Sequence, residues 1–360
     1  MVETVNEANM RIGVCGHLGG GKEYLDGQTI KTKTIIEELQ KIFFEDELII
    51  VDTYGGLKHM FKHIVRLIIM IFKCDNVIIL PAQNGLRVFA PIMNILNFRH
   101  RCSMHYIVIG GWLPVFLEGK PLLTKCLKRF DAVYVETKTM MHIMKEKGFR
   151  NIVLMKNFKK NTVLSVSDIK CKIDKPFELC MFSRVTPKKG IEDAINAIVE
   201  INDGFNDNVY SLTIYGQVDD SYNKKFTELI RSTPDYIKYG GAVDYRCSVE
   251  TLKPYFALLF PTQYYTEGIP GTILDAYAAA LPVISSKWES FYDVIVEKQT
   301  GFGYEFGDIE SLKTLLNIIS QKPEMIYSMK KNCLLKAEEY LPENAILPLV
   351  RRIKHVEKEK

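Results

Sequence analysis

Short, continuously apolar runs alternate with amphipathic stretches along the whole chain, and this rhythm restricts the fold more than any other feature. In the first half the runs are 11–15, 48–51, 77–80, 106–109, 132–135 and 152–155. They do not alternate in polarity, as strands with one wet face would, so they read as parallel strands buried on both faces. Stretches 28–43 and 58–73 between them carry helical periodicity. Strand, helix, strand in succession predicts a doubly wound α/β sheet.

Residues 159–175 are polar and charged and stop just before Pro176, where we expect an interdomain linker. The rhythm then resumes, with strand candidates at 177–182, 209–215, 237–239, 257–260 and 282–285. Helices are expected at 191–201, 223–231, 272–280 and 309–319. A chain of 360 residues suits about two domains. The expected division is one Rossmann-like domain over 1–165, a second over 166–340, and a charged helical tail over 341–360.

Composition removes several classes of function. The eight cysteines are scattered and form no C-x-x-C pair, which leaves neither a zinc ribbon nor a dithiol site and suits free thiols in a reducing compartment. The first nine residues hold Glu3 and Glu7 and no basic residue, unlike a secretory leader. The apolar stretch 64–72 contains Arg66 and is far short of the ~20 residues that span a bilayer. A cytoplasmic protein is expected, with the inner face of the membrane within its reach. Net charge is only +4, yet residues 51–160 hold eighteen basic against six acidic residues. An asymmetry of that size points to an anionic partner for this segment.

Three segments carry candidate chemistry. The first, Gly16-His17-Leu18-Gly19-Gly20-Gly21-Lys22-Glu23, nearly matches a phosphate-binding P-loop, but Glu23 stands where a magnesium-binding hydroxyl is required. An ATPase is therefore not expected. Gly27, at the start of the next helix, still offers backbone N–H groups to a phosphate. The second is Ser183-Arg184-Val185-Thr186-Pro187-Lys188-Lys189-Gly190, after the first strand of the second half. Its cations fall at a strand's carboxyl end, where open α/β sheets bind ligands, and suit a diphosphate leaving group. The third runs from Pro261 through Glu267-Gly268-Ile269-Pro270-Gly271-Thr272 to Asp275 and leads from a strand into a helix of small residues. The helix start can receive phosphate oxygens, with Glu267 and Asp275 flanking it to accept hydroxyl hydrogens. Alternatively, Asp275 merely complements the helix dipole.

The last two segments, in this order, resemble the retaining GT-B glycosyltransferases of glycosyltransferase family 4. The signature of that family is G-R-x-x-x-x-K-G followed by two glutamates eight positions apart. The likeness is continuous over about 177–300, and weaker earlier, where Asp26-Gly27-Gln28 and Asn157 occupy matching positions. It implies two Rossmann-like domains facing a central cleft, the first on the acceptor side and the second binding a UDP- or GDP-linked sugar. Arg184 and Lys189 would then hold the donor diphosphate and Glu267 the transferred sugar, these three being the catalytic candidates. Asp275 would meet the ribose, the backbone of Gly268, Ile269, Pro270, Gly271 and Thr272 the phosphates, and Gly216 and Gly241 the nucleoside. Gly27 would serve as a donor contact from the first domain. Two departures stand out: Asp275 replaces the second glutamate, and Ser183 replaces the glycine before the arginine. No catalytic histidine is matched, although His17 follows the first strand and His105 precedes the fourth.

The resemblance implies retention of anomeric configuration without a protein nucleophile, and no D-x-D stands on a strand-end loop to bind a metal. The enzyme's contribution would be positioning and charge, with no cofactor. The acceptor expected is a glycan or lipid-linked glycan of cell-surface polysaccharide synthesis. Lys58, Lys62 and Arg66 fall four apart, with His59 and His63 beside them, and suit an anionic membrane surface; a plainly solvated basic face is the alternative. Lys120, Lys125, Lys128 and Arg129 form a second cluster. No nucleic-acid module is recognisable. Rival readings are a nucleotide-sugar epimerase of the same fold and a non-catalytic nucleotide-sugar or glycan-binding protein.

Overall fold

The computed structural model describes residues 10–21, 27–55, 59–100, 102–169 and 174–354. The chain divides into two compact units, residues 1–158 with 342–360, and residues 159–341.

Unit 1 holds strands β1 (Ile12–Gly16), β2 (Leu48–Asp52), β3 (Asn76–Ile79), β4 (Ser103–Ile107), β5 (Ala132–Val135) and β6 (Ile152–Leu154). Its helices are α1 (Gly27–Gln40), α2 (Met60–Lys73), α3 (Gln83–His100), α4 (Leu113–Phe116), α5 (Pro121–Leu127) and α6 (Lys138–Glu146). The sheet is wholly parallel in the order β2-β1-β3-β4-β5-β6. Strands β3 and β5 are buried along their full length, which is why their sequences are continuous apolar runs. Two layers cover the sheet. One side packs Leu67, Met70 and Ile71 of α2 with Leu86, Phe89 and Met93 of α3.

Unit 2 holds β7 (Phe177–Phe182), β8 (Tyr210–Tyr215), β9 (Ile237–Gly241), β10 (Ala257–Phe260), β11 (Val283–Ser286) and β12 (Gly301–Tyr304). Its helices are α7 (Ile191–Phe205), α8 (Asn223–Arg231), α9 (Ser248–Leu252), α10 (Gly271–Ala278), α11 (Phe291–Val294), α12 (Ile309–Gln321) and α13 (Glu324–Ala337). This sheet too is parallel, in the order β12-β11-β10-β7-β8-β9. The chain leaves β7 toward β8 and β9, then returns to build outward from the other side of β7. The order therefore reverses between β7 and β10, and such a switch point leaves a crevice at the carboxyl ends of the two strands.

Two helices beyond residue 341, α14 (Pro342–Ala345) and α15 (Leu347–Ile353), belong to unit 1. Ile346, Leu349, Val350 and Ile353 join Ile12, Val14, Ile35 and Leu39 in the second core layer of that unit. The tail is thus partly core, although its sequence reads as charged. Unit 2 starts at Lys159, ahead of the boundary expected at 166. The reason is local: the N–H of Lys159 bonds to the Tyr340 carbonyl, and that of Leu164 to the Ala278 carbonyl, both inside unit 2. The seven cysteines among the described residues are free thiols; Cys171 lies outside them.

The candidate donor site

Residues near the switch point are assembled by two loops. After β7 the chain runs through Ser183 and Arg184 into a single tight turn, Pro187–Lys189, opened by a proline that suits its first position. Gly190 ends the turn in the left-handed conformation, with φ of 68°. No other residue fits there. A Cβ on Gly190 would stand 1.9 Å from the Pro261 carbonyl oxygen, in the loop that follows β10. The same two loops are joined by the Gln263 N–H, which donates to the Lys188 carbonyl. Lys189 is thereby delivered to the edge of β10, where its ammonium lies 5.2 Å from the centre of the Phe260 ring.

There it meets Glu267. Lys189 Nζ donates to Glu267 Oε2 at 2.9 Å, and the Thr262 hydroxyl donates to the same oxygen at 3.2 Å. Both charged side chains are partly exposed. Gly268, Ile269 and Pro270 follow as a buried segment, and α10 begins at Gly271 with Pro270 as its cap. The opening N–H groups of a helix have no partner within it, and they carry the positive end of its dipole. The hydroxyl of Thr272 is buried there and makes no hydrogen bond among the described residues. A buried donor of that kind is costly unless something accepts its hydrogen. A lysine held by a single carboxylate, an open helix end and a spare hydroxyl together suit a group of several anionic oxygens.

Arg184 is placed differently. Its guanidinium pairs with Asp219 at 2.7 Å and is 68% exposed, so its described ion pair is not with Glu267. The hydroxyl and N–H of Ser221, with Arg184 beside them, hold the Asp219 carboxyl below its ordinary value. Arg184 and Lys189 thus leave the same loop with separate carboxylate partners. Gly216 and Gly241 do come together: the Gly216 N–H donates to the Gly241 carbonyl at 2.9 Å. Gly216 has φ of 137°, and a Cβ there would lie 1.9 Å from the Ser183 carbonyl oxygen. The carboxyl ends of β7, β8 and β9 are therefore drawn close by a residue without a side chain.

Asp275 lies inside unit 2 with only 2% of its surface exposed. Lys159 Nζ donates to its Oδ2 at 2.5 Å, while Asn161 Nδ2 and the Ser248 hydroxyl each donate to Oδ1 at 3.0 Å. Burial pushes its carboxyl above the ordinary value, and Lys159 acts against that rise. These three partners, like Thr262 and Asp219, were not foreseen from the sequence. Lys159 and Asn161 lie in the stretch read as linker, and only their donor-bearing side chains hinted at a buried acceptor.

In unit 1, Gly27 opens α1, while Lys22, Glu23 and Asp26 lie outside the described residues. The glycine loop after β1 is closed from within. The N–H groups of Leu18 and Gly20 both donate to the Asp52 carboxylate, at 2.9 and 2.8 Å. Two amides that a P-loop would turn toward phosphate are thus taken by an internal anion. His105 is buried within β4, 3.0 Å from both Asn76 Oδ1 and the Tyr134 hydroxyl. His17 stands 2.7 Å from the Thr29 hydroxyl.

With this geometry in place, the comparisons can be read. Residues 167–334 match the family model described as glycosyl transferases group 1. Most of unit 2 is therefore similar to the group 1 glycosyl transferases. The whole chain is similar in structure to Anabaena HepE in complex with UDP, at 14% identity and a TM-score of 0.75, with 96% of this chain and 100% of that one covered. Sucrose-phosphate synthase from Thermosynechococcus elongatus gives 13% identity and a TM-score of 0.75, covering 96% and 99%. The lipopolysaccharide outer core galactosyltransferase WaaB gives 16% and 0.70, covering 96% and 100%. No curated protein matches by sequence. At these identities the structural likeness establishes the fold, which is GT-B: two Rossmann-like units, each on a six-stranded parallel sheet.

The loops after β7 and β10, at the switch point of this sheet, bring Lys189 and Glu267 together. Gly190→Ala is expected to cost about 1–3 kcal/mol from its φ alone, before the clash with Pro261 is counted. Urea denaturation measures it; an unchanged midpoint would show that the turn tolerates a side chain.

Proposed function

We propose that the protein is a retaining glycosyltransferase that moves a sugar from a UDP- or GDP-linked donor to a glycan or lipid-linked glycan in cell-surface polysaccharide synthesis. The observation that carries the reading is the Lys189–Glu267 pair in the loop that leads into α10, at the switch point of the unit that matches the group 1 model. Lys189 and the first N–H groups of α10 would receive the diphosphate, with the Thr272 hydroxyl as a further donor. Glu267, paired with Lys189, would accept hydrogen bonds from the transferred sugar. Structural neighbours crystallised with UDP and with UDP-glucose support a uridine nucleotide as the first to try. The description of WaaB supports a surface glycan as acceptor.

In this reading negative charge grows on the diphosphate as the glycosidic bond breaks, and fixed positive groups stabilise that charge more than they stabilise the bound donor. Lys189 and the helix end would do this without a metal or other cofactor.

UDP or GDP at ~100 times its dissociation constant is expected to raise stability by about 2.7 kcal/mol, read as a thermal shift. Nucleotide release should then depend on acceptor and persist in the presence of a chelator. Binding without release would favour a non-catalytic binding protein, and interconversion of sugars without acceptor would favour an epimerase. If neither nucleotide shifts the melting curve, the donor site is misassigned.

A further inference from the structure

We propose that the face of unit 1 formed by α2, α3 and α5 docks on an anionic lipid bilayer. This deepens the reading of a lipid-linked acceptor, and rests on it only for its biological purpose.

On α2 the exposed positions with described side chains are Phe61, Lys62, Val65, Arg66, Ile69, Phe72 and Lys73. Each is apolar or basic. A helix face built for water would mix in acidic and neutral polar residues, and this one has neither. The core side of the same helix is already supplied by Leu67, Met70 and Ile71. His63, expected beside the cations, faces inward with them and is buried. Lys58 lies outside the described residues. The outward apolar side chains are therefore surplus to what the fold needs.

The pattern continues across the neighbouring helices. Helix α3 packs on both α2 and α5. The Phe72 and His100 rings meet at 5.3 Å, joining the carboxyl ends of α2 and α3. Beyond that contact Phe98 is 87% exposed, as is Leu122 of α5 to 80%. Lys120 and, on α5 and just past its end, Lys125 and Lys128 line an open depression of about 600 Å³. Across the three helices there is no aspartate or glutamate.

Charge and shape select the occupant. A second copy meeting this face with its own would bring like charges together. Nucleic acid would leave Val65, Ile69, Ile95 and Leu122 against a polar, charged backbone with nothing to stack on. A bilayer surface with anionic headgroups takes both components at once, cations at the phosphates and aromatic or aliphatic side chains below them. At ~1.5 Å per residue α2 is about 21 Å long, too short for a hydrocarbon core of roughly 30 Å, so it would lie in the plane of the surface. No described helix is long and apolar enough to cross a membrane.

Flotation of the full chain with phosphatidylglycerol-containing and pure phosphatidylcholine vesicles, at low and high salt, tests this. Binding is expected to the anionic vesicles, weakened by salt. Lys62→Gln with Arg66→Gln should lower affinity on the order of 25-fold, at about fivefold per charge. Phe61→Ser with Ile69→Ser should abolish binding while leaving the melting curve and the UDP thermal shift unchanged. Equal binding to neutral vesicles overturns the proposal. So does absence of vesicle binding, including the case where Phe61→Ser with Ile69→Ser instead breaks up a dimer in solution. If vesicles bind but no nucleotide does, the transferase reading fails and the docking surface stands.

Discussion

Sugar transfer by the Lys189→Ala variant is expected to be slower by on the order of 10²–10³, in line with removing one well-placed donor from a developing anion. Gly190 and the Gln263 to Lys188 bond fix the turn that carries Lys189 against the loop after β10. Glu267, which also accepts from the Thr262 hydroxyl, then holds the ammonium in the loop that leads into α10. A charge held in place needs little reorganisation when the diphosphate departs, and that is where its effect should appear. The loss should therefore fall mainly on kcat, with the melting curve near that of the parent, because Lys189 is partly exposed and supports no core. Arg184→Ala is expected in the same range if its guanidinium leaves Asp219 for the donor. Single-turnover rates on saturating donor measure both. Near-normal turnover of Lys189→Ala would remove the assignment.

Asp275→Ala should be the most damaging substitution to folding. It would leave Lys159, whose side chain is only 16% exposed, without its carboxylate, and would strand the Asn161 and Ser248 donors as well. Removing one partner of a buried ion pair costs about 3–5 kcal/mol, whereas replacing both by apolar residues of similar size is often neutral. Lys159→Met combined with Asp275→Leu should accordingly recover much of the stability lost by Asp275→Ala. Equilibrium denaturation of the single and double variants decides the matter. A small loss in Asp275→Ala, together with a large loss of nucleotide affinity, would instead return Asp275 to the ribose contact implied by the family resemblance.

The contrast between these two carboxylates shows what the sequence could convey. Glu267 and Lys189 were legible because each sits at a fixed spacing from glycines that shape its own loop. The grip on Asp275 was not, since Lys159 lies 116 positions away and reads locally as one more cation in a polar stretch. The strands behave in the same way. The β7 run, apolar but for Glu178, announces itself. Strand β12, Gly301–Tyr304, was missed because two glycines in four residues read as a turn. Its glycine is required by the neighbouring strand: a Cβ on Gly301 would lie 2.1 Å from the Val283 carbonyl oxygen. Likewise α2 was legible as amphipathic and basic, but not the inward turn of His63. Spacing records local geometry, whereas contacts between distant segments leave only a residue type behind.

The return of α14 and α15 to unit 1 has a consequence for synthesis. A chain emerging from the ribosome usually folds its first domain before the second is made. Here Ile346, Leu349 and Ile353 are missing from the core of the first unit until almost the last described residues have appeared. The unit that begins first must therefore finish last, with its sheet waiting through the making of all six strands of the other. A nascent chain halted at residue 341 should show a protease-resistant second unit and a first unit still open to cleavage.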